Sequence, residues 1–207
     1  MLVALASAED RGFELAADQC TGEGASLAWH WNHPQSRDAI ARKPWDYVVL
    51  QERSGGPLEE PDSFRQHADL LDAAIKKQGA QTVLYMTWAN RSKPATQVLL
   101  TGAYTKLAKE LGTFLAPVGQ AWEAVHRIDS GIELYHDDGR HANPTGSYLS
   151  ACVFYSVLFN TSPEGLPGTF SHKGKKRLDL EKDKALLLQK AAWEMVSILD
   201  SGFRISD

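Results

Sequence analysis

Cysteine, a dominant sign of charge and long apolar runs are all scarce in this chain. It has 2 cysteines in 207 residues, at Cys20 and Cys152, with no Cys-x-x-Cys pair and no Cys/His ligand cluster. That excludes a disulfide-dense scaffold and a zinc-finger type of site. Cys152 sits in the apolar run 151–155 and reads as a buried, inert thiol. Spacing alone gives no support to a bridge between the two cysteines. No apolar run approaches the ~20 residues that span a bilayer. The apolar opening Met1–Ala6 has no cationic flank and runs into Glu9, Asp10 and Arg11, so the chain as written carries no export signal and its compartment is left open. Lysine plus arginine number 22 against 26 aspartate plus glutamate, a net charge of −4. A weakly acidic balance argues against a nucleic-acid partner, because that affinity rests on lysine and arginine. Gly22-x-Gly24 does not continue to a third glycine, which disfavours a dinucleotide site.

What is present is the composition of an ordinary globular protein, 43% hydrophobic and 23% charged. The length fits one domain at roughly 150 residues per domain. Residues 1–10 read as the tail of a helix, and Phe13–Ala17 as a short strand. Gly22-Glu23-Gly24 forms a turn, and Pro34–Arg42 a short helix with proline in its first turn. Tyr47–Leu50 is a continuous apolar run, as expected of a strand buried on both faces. A loop over 53–57 precedes a helix over 61–78, with Phe64, Ala68, Leu71 and Ile75 on one stripe and Gly79 as its stop. Strands at 82–88 and 114–118 alternate with helices at 96–111 and 120–127. A loop over 137–144 leads to an apolar helix at 145–159, then a polar segment, then an amphipathic helix at 180–200. Strands alternating with helices at this spacing predict an α/β fold with a parallel sheet. We expect one α/β domain over 1–167, with 168–207 a polar linker and a helix packed on that domain. The basic run Lys173, Lys175, Lys176, Arg177 has acidic neighbours and reads as a solvated part of that linker.

In open parallel sheets ligands bind at the carboxyl ends of the strands. The residues there are 22–26, 51–54, 88–91, 119–122 and 137–141. Asp138 and His141 are three apart in a loop rich in turn residues. Such a loop can fold an aspartate onto its own histidine, fixing the tautomer and leaving Nε2 free as a base. Taken alone, Asp-x-x-His is a weak signal, and a solvated turn explains it as well.

The longer string narrows the reading. Asp138-Gly139-Arg140-His141-Ala142-Asn143-Pro144-Thr145-Gly146 resembles the last block of the SGNH (GDSL-type) hydrolases. Trp45-Asp46-Tyr47-Val48-Val49-Leu50-Gln51-Glu52 is similar to their third block in a form where Gln replaces the oxyanion-hole Asn, and Gly24-Ala25-Ser26-Leu27 is similar to their second. Segments 83–88 and 116–119 also resemble one bacterial branch of the superfamily. The resemblance implies a three-layer α/β/α sandwich with a flavodoxin-like parallel sheet, and hydrolysis of an acyl or acetyl ester of a small molecule or carbohydrate. It implies that His141 is the general base and Asp138 its orienting acid. It further implies that the N–H of Gly24 and the side chain of Gln51 hold the oxyanion. Trp88, Arg53 and Asn90 would contact substrate. It implies no metal and no organic cofactor.

One block is missing. The family's first strand ends in a Gly-Asp-Ser or Gly-Asn-Ser turn that carries the nucleophile, and neither tripeptide occurs here. Losing the serine of a triad costs on the order of 10⁶ in kcat. The chain as written is therefore expected to be nearly inert as an esterase, and a non-catalytic domain that binds a carbohydrate or acyl ligand is the alternative. Ser26 and Ser54 are weak substitutes. Without the first strand, Tyr47–Leu50 should show an open edge. The expectation is a start about 20–30 residues earlier, the length of a βα unit, or another segment in the gap. His30 and His33 have no acidic or cysteine ligand in register and read as aromatic loop packing. Arg91 and Arg140 read as rim charges.

Overall fold

The computed structural model describes residues 1–7 and 14–203. By contact clustering the chain divides into two units. One unit holds Asp18–Ala89 and Ala95–Ala116 and contains the parallel sheet. The other holds Met1–Ala17, Asn90–Pro94 and the chain from Pro117 onward.

The sheet unit begins with helices α2 (Leu27–Asn32) and α3 (Pro34–Ala41), then strand β1 (Tyr47–Leu50). Short helix α4 (Gly56–Glu59), helix α5 (Pro61–Lys77), strand β2 (Gln81–Tyr85), helix α6 (Gln97–Leu111) and strand β3 (Phe114–Ala116) follow. The strand order is β1-β2-β3, both pairs parallel, with Val48 opposite Thr82 and Leu84 opposite Leu115. Phe64, Ala68, Leu71 and Ile75 are buried on one face of α5, the face the 3.6-residue repeat selects. Gly112 ends α6 at φ 61°, a left-handed conformation that costs glycine nothing. Gln97, at the start of α6, is buried and accepts the Ala89 N–H at 2.8 Å through Oε1.

The second unit holds α1 (Leu2–Ala6), α7 (Val118–Ile128), α8 (Pro144–Phe159), the hairpin β4 (Thr169–His172) and β5 (Lys175–Asp179), and α9 (Lys182–Phe203). Helix α8 is apolar on every side, and Tyr148, Leu149, Cys152, Val153 and Tyr155 are buried, with α1, α7 and α9 packed on it. Gln189 of α9 is also buried. It donates to Tyr148 Oη at 2.6 Å and to the Leu166 carbonyl at 2.8 Å, and accepts the Gly165 N–H at 3.0 Å. A buried amide with its groups satisfied fixes α9 against α8.

The α/β class and the parallel sheet are as the alternation predicts, and five readings need correction. Phe13 lies outside the described residues and Glu14–Ala17 forms no strand, because no neighbouring chain supplies a ladder. Strand β1 pairs only with β2 among the described residues, and Val49 is 44% exposed, so β1 is not buried on both faces. Residues 27–32 are helical, because Ser26 caps them by accepting the Trp29 N–H at 3.1 Å. The loop expected over 53–57 runs into helix α4 at Gly56, with Pro57 in its first turn. The segment expected to be a linker contains the β4–β5 hairpin, turned by Lys173 and Gly174 at positive φ. Residues 8–10 of the expected opening helix lie outside the described residues. Among the described residues no helix is long and apolar enough to cross a membrane.

Candidate active site

The loop from Glu133 to Asn143 is built mostly by its own backbone. Tyr135 and Ala142 form an antiparallel bridge, and the His136 N–H donates to the His141 carbonyl at 2.8 Å. Gly139, at φ 65°, closes the turn, and its N–H donates to the His136 carbonyl at 2.9 Å. Asn143 then caps α8, accepting the Gly146 N–H at 2.9 Å, with Pro144 at the first helical position. Gly146 is required by close approach: a Cβ there would clash with the Leu134 carbonyl and lie 2.6 Å from the Trp122 ring. Arg91 holds the loop from outside. Its N–H donates to the Gly139 carbonyl at 2.9 Å, its guanidinium meets Glu133 at 2.7 Å, and its Cζ lies 5.1 Å from the Tyr135 ring centre.

Inside this turn Asp138 and His141 meet. Asp138 Oδ1 accepts the N–H of Arg140 at 2.8 Å and of His141 at 3.0 Å, and Oδ2 lies 2.5 Å from His141 Nδ1. The His141 ring holds the Asp138 carboxyl well below the usual carboxylate range, and the two backbone N–H groups add to that. Asp138 is thus ionised at neutral pH and can only accept. Nδ1 must therefore carry the proton, which leaves Nε2 as the unprotonated nitrogen of neutral His141. The His141 side chain is 82% exposed.

The remaining candidates divide between the units. Gly24, Gln51, Arg53 and Trp88 belong to the sheet unit, and Asn90 belongs with Asp138 and His141. Gly24 is exposed at φ 62°, in a turn closed by the Ala25 N–H on the Gly22 carbonyl at 3.2 Å. Gln51 is exposed immediately after β1. Arg53 donates to Glu59 at 2.6 Å and Glu60 at 2.7 Å. Trp88 is half-buried, with its ring centre 6.4 Å from that of Tyr85. Asn90 is half-buried and its carbonyl accepts the Lys93 N–H at 2.9 Å.

Other polar groups take structural roles. His33 stacks on Trp29 with ring centres 3.6 Å apart, and His30 Nδ1 lies 2.9 Å from the Ser36 hydroxyl, so the expected aromatic packing occurs, but on α2 and its end. Burial, then the nearby His33 charge, lowers the His30 pKa. Ser26 is engaged as the α2 cap, and Ser36 is 5% exposed. Both cysteines are free, and burial pushes the Cys152 thiol up to about 12, as expected of an inert thiol. Among the described residues no three His, Cys, Asp or Glu side chains gather to hold a metal.

Glu52 was not legible as a site residue. It is 4% exposed, and its carboxylate accepts the N–H of Leu27 at 2.9 Å and of Arg53 at 2.9 Å. Burial raises its pKa, opposed by those two N–H groups and the Arg53 charge. The available signal was an acidic residue two places after a strand, followed by the pair Gly55-Gly56.

The parallel three-stranded sheet with its helices places the sheet unit in the α/β class. A solved structure of a candidate SGNH hydrolase from Slackia heliotrinireducens is 34% identical to this chain, covering 65% of it and 80% of that protein, with a TM-score of 0.57. This chain belongs to the SGNH hydrolase superfamily. A DUF4886 family protein from Bacteroides uniformis ATCC 8492 matches at 20% identity, over 79% of this chain and 67% of that one, with a TM-score of 0.64, and shares the fold. No family model and no curated protein matches the chain.

Proposed function

We propose that this chain supplies the acid–base and oxyanion groups of an SGNH-type hydrolase acting on acyl or acetyl esters of a carbohydrate or other small molecule. The observation that carries this reading is the Asp138–His141 pair, with Nδ1 bonded to the carboxylate at 2.5 Å. In the proposed reaction Nε2 of His141 takes the proton of the attacking hydroxyl as its oxygen bonds to the ester carbonyl carbon. Asp138 stabilises the imidazolium that forms. The proton passes to the leaving alkoxide as the C–O bond breaks, and water repeats the sequence on the acyl intermediate. The Gly24 N–H and Gln51 amide are assigned to the oxyanion. Donors held in place where charge develops are each worth about 3–4 kcal/mol. Trp88, Arg53 and Asn90 are assigned to the substrate.

The sequence holds no Gly-Asp-Ser or Gly-Asn-Ser turn, so these 207 residues do not by themselves supply the hydroxyl that the resemblance would make the nucleophile. The same observation favours the second reading, a non-catalytic domain that binds a carbohydrate or acyl ligand. Hydrolysis of p-nitrophenyl acetate separates the two. A full-length protein that carries such a turn should turn over, and H141A in it should remove on the order of 10⁴–10⁶ of kcat. The present chain alone should stay at background. No turnover by the full-length protein on acetyl esters supports the binding domain. Turnover by the present chain that H141A abolishes contradicts the assignment of the nucleophile.

A further inference from the structure

Glu52 has no place in the chemistry above, yet it is a buried carboxylate of the sheet unit with two backbone partners. Its partner Leu27 is 25 residues away in sequence and opens α2, directly after the turn of Gly24 and Ser26. Its own peptide bond joins it to Gln51. One side chain therefore ties the segment that presents Gly24 to the strand end that presents Gln51.

The chemistry of the tie selects a carboxylate. Both groups aimed at it are backbone N–H donors, from Leu27 and Arg53. A carboxylate offers only acceptors, so each oxygen takes one donor. A glutamine of the same shape would turn its NH₂ toward one of them and leave a buried N–H unmet. The space is also prepared: a Cβ on Gly56 would lie 2.5 Å from Glu52 Oε1. Gly56 in turn is fixed by its N–H on the Arg53 carbonyl at 2.9 Å.

We propose that Glu52 is the positioning residue of the oxyanion donors, holding the Gly24 turn in register with Gln51; this rests on the assignment of those two groups to the oxyanion. Donors fixed in advance need no reorganisation when the negative charge forms. Donors that drift by about 1 Å lose much of their effect.

Amide hydrogen exchange on the chain and on E52Q tests the tie without any activity. Exchange at Leu27, Arg53 and the Gly24–Ser26 segment should accelerate by about tenfold, as for loss of one backbone hydrogen bond, while Val83 and Leu107 stay unchanged. Unchanged exchange at Gly24–Leu27, or equal acceleration everywhere, overturns the proposal. If E52Q does not fold, G56A presses on the same carboxylate and should loosen the same segment. In a full-length protein that turns over p-nitrophenyl acetate, E52Q should lower kcat with KM held. Local loosening with kcat unchanged removes Gly24 and Gln51 from the oxyanion role and the positioning role with them, whereas unchanged exchange leaves that assignment standing and removes only Glu52.

Discussion

Glu52 and Asp138 are two carboxylates doing the same local job in opposite surroundings. Each accepts two backbone N–H groups at a turn. Glu52 is buried and its pKa is raised, while Asp138 is exposed beside an imidazole and its pKa is lowered. The backbone N–H groups pull both the same way, so the difference lies in what surrounds them. Desolvation outweighs two N–H groups and a nearby arginine at Glu52, and the His141 ring decides at Asp138. One carboxylate is suited to hold structure, the other to stay charged under a base.

The sharpest contrast should be functional. In a full-length protein that hydrolyses esters D138N should cut turnover by about 10⁴, the size seen when an orienting aspartate is neutralised, and cost less stability than the loss of Glu52. A large loss of stability would make Asp138 a structural residue like Glu52. Conversely, Glu52→Ala should cost about 3 kcal/mol in urea unfolding, because it strands one buried and one half-buried N–H group. A cost near zero would erase the distinction between the two.

Gly146→Ala should be next, at about 2 kcal/mol by overpacking against Leu134 and Trp122. Equilibrium unfolding checks it, and a neutral result would mean the base of the dyad loop yields. Titration should then separate the carboxylates by sign. Asp138, with a depressed folded pKa, contributes stability above its unfolded pKa that is lost as pH falls through the folded value. Glu52, with a raised folded pKa, binds its proton more tightly when folded, so its contribution falls as pH rises from the ordinary carboxylate value through the raised one. Stability measured from about pH 2 to 7 should therefore lose acid dependence in D138N, below the ordinary carboxylate range, and gain it in E52Q, above that range. Equal slopes in the two variants would refute the assignment. The smallest effect belongs to Arg91→Ala, about 0.5 kcal/mol, since its pair with Glu133 is exposed; a thermal melt would show a larger role as a larger shift.

Legibility in the sequence followed the range of the interactions. Asp138 could be read because its partner is three residues on, in a string that resembles a known family block; the spacing alone was a weak signal. The stripe of α5 and its stop at Gly79 were readable for the same local reason. Glu52 was hidden because Leu27, its partner, is set by tertiary packing. Helix α2 was missed because its apolar periodicity is masked by Trp29, His30, Trp31 and His33, and only the Ser26 cap marks its start. The hairpin at 169–179 was missed because its charged face looks like a solvated linker, with Leu178 its one buried residue on β5.

The claim at the centre of this account is that Asp138 holds His141 as a ready base. The ¹⁵N chemical shifts of the His141 ring, in its neutral form, measure that directly. The account predicts the proton on Nδ1, with a strongly downfield Nδ1 proton resonance that disappears in D138N. A proton on Nε2, or a ring shared evenly between the two tautomers, would contradict it.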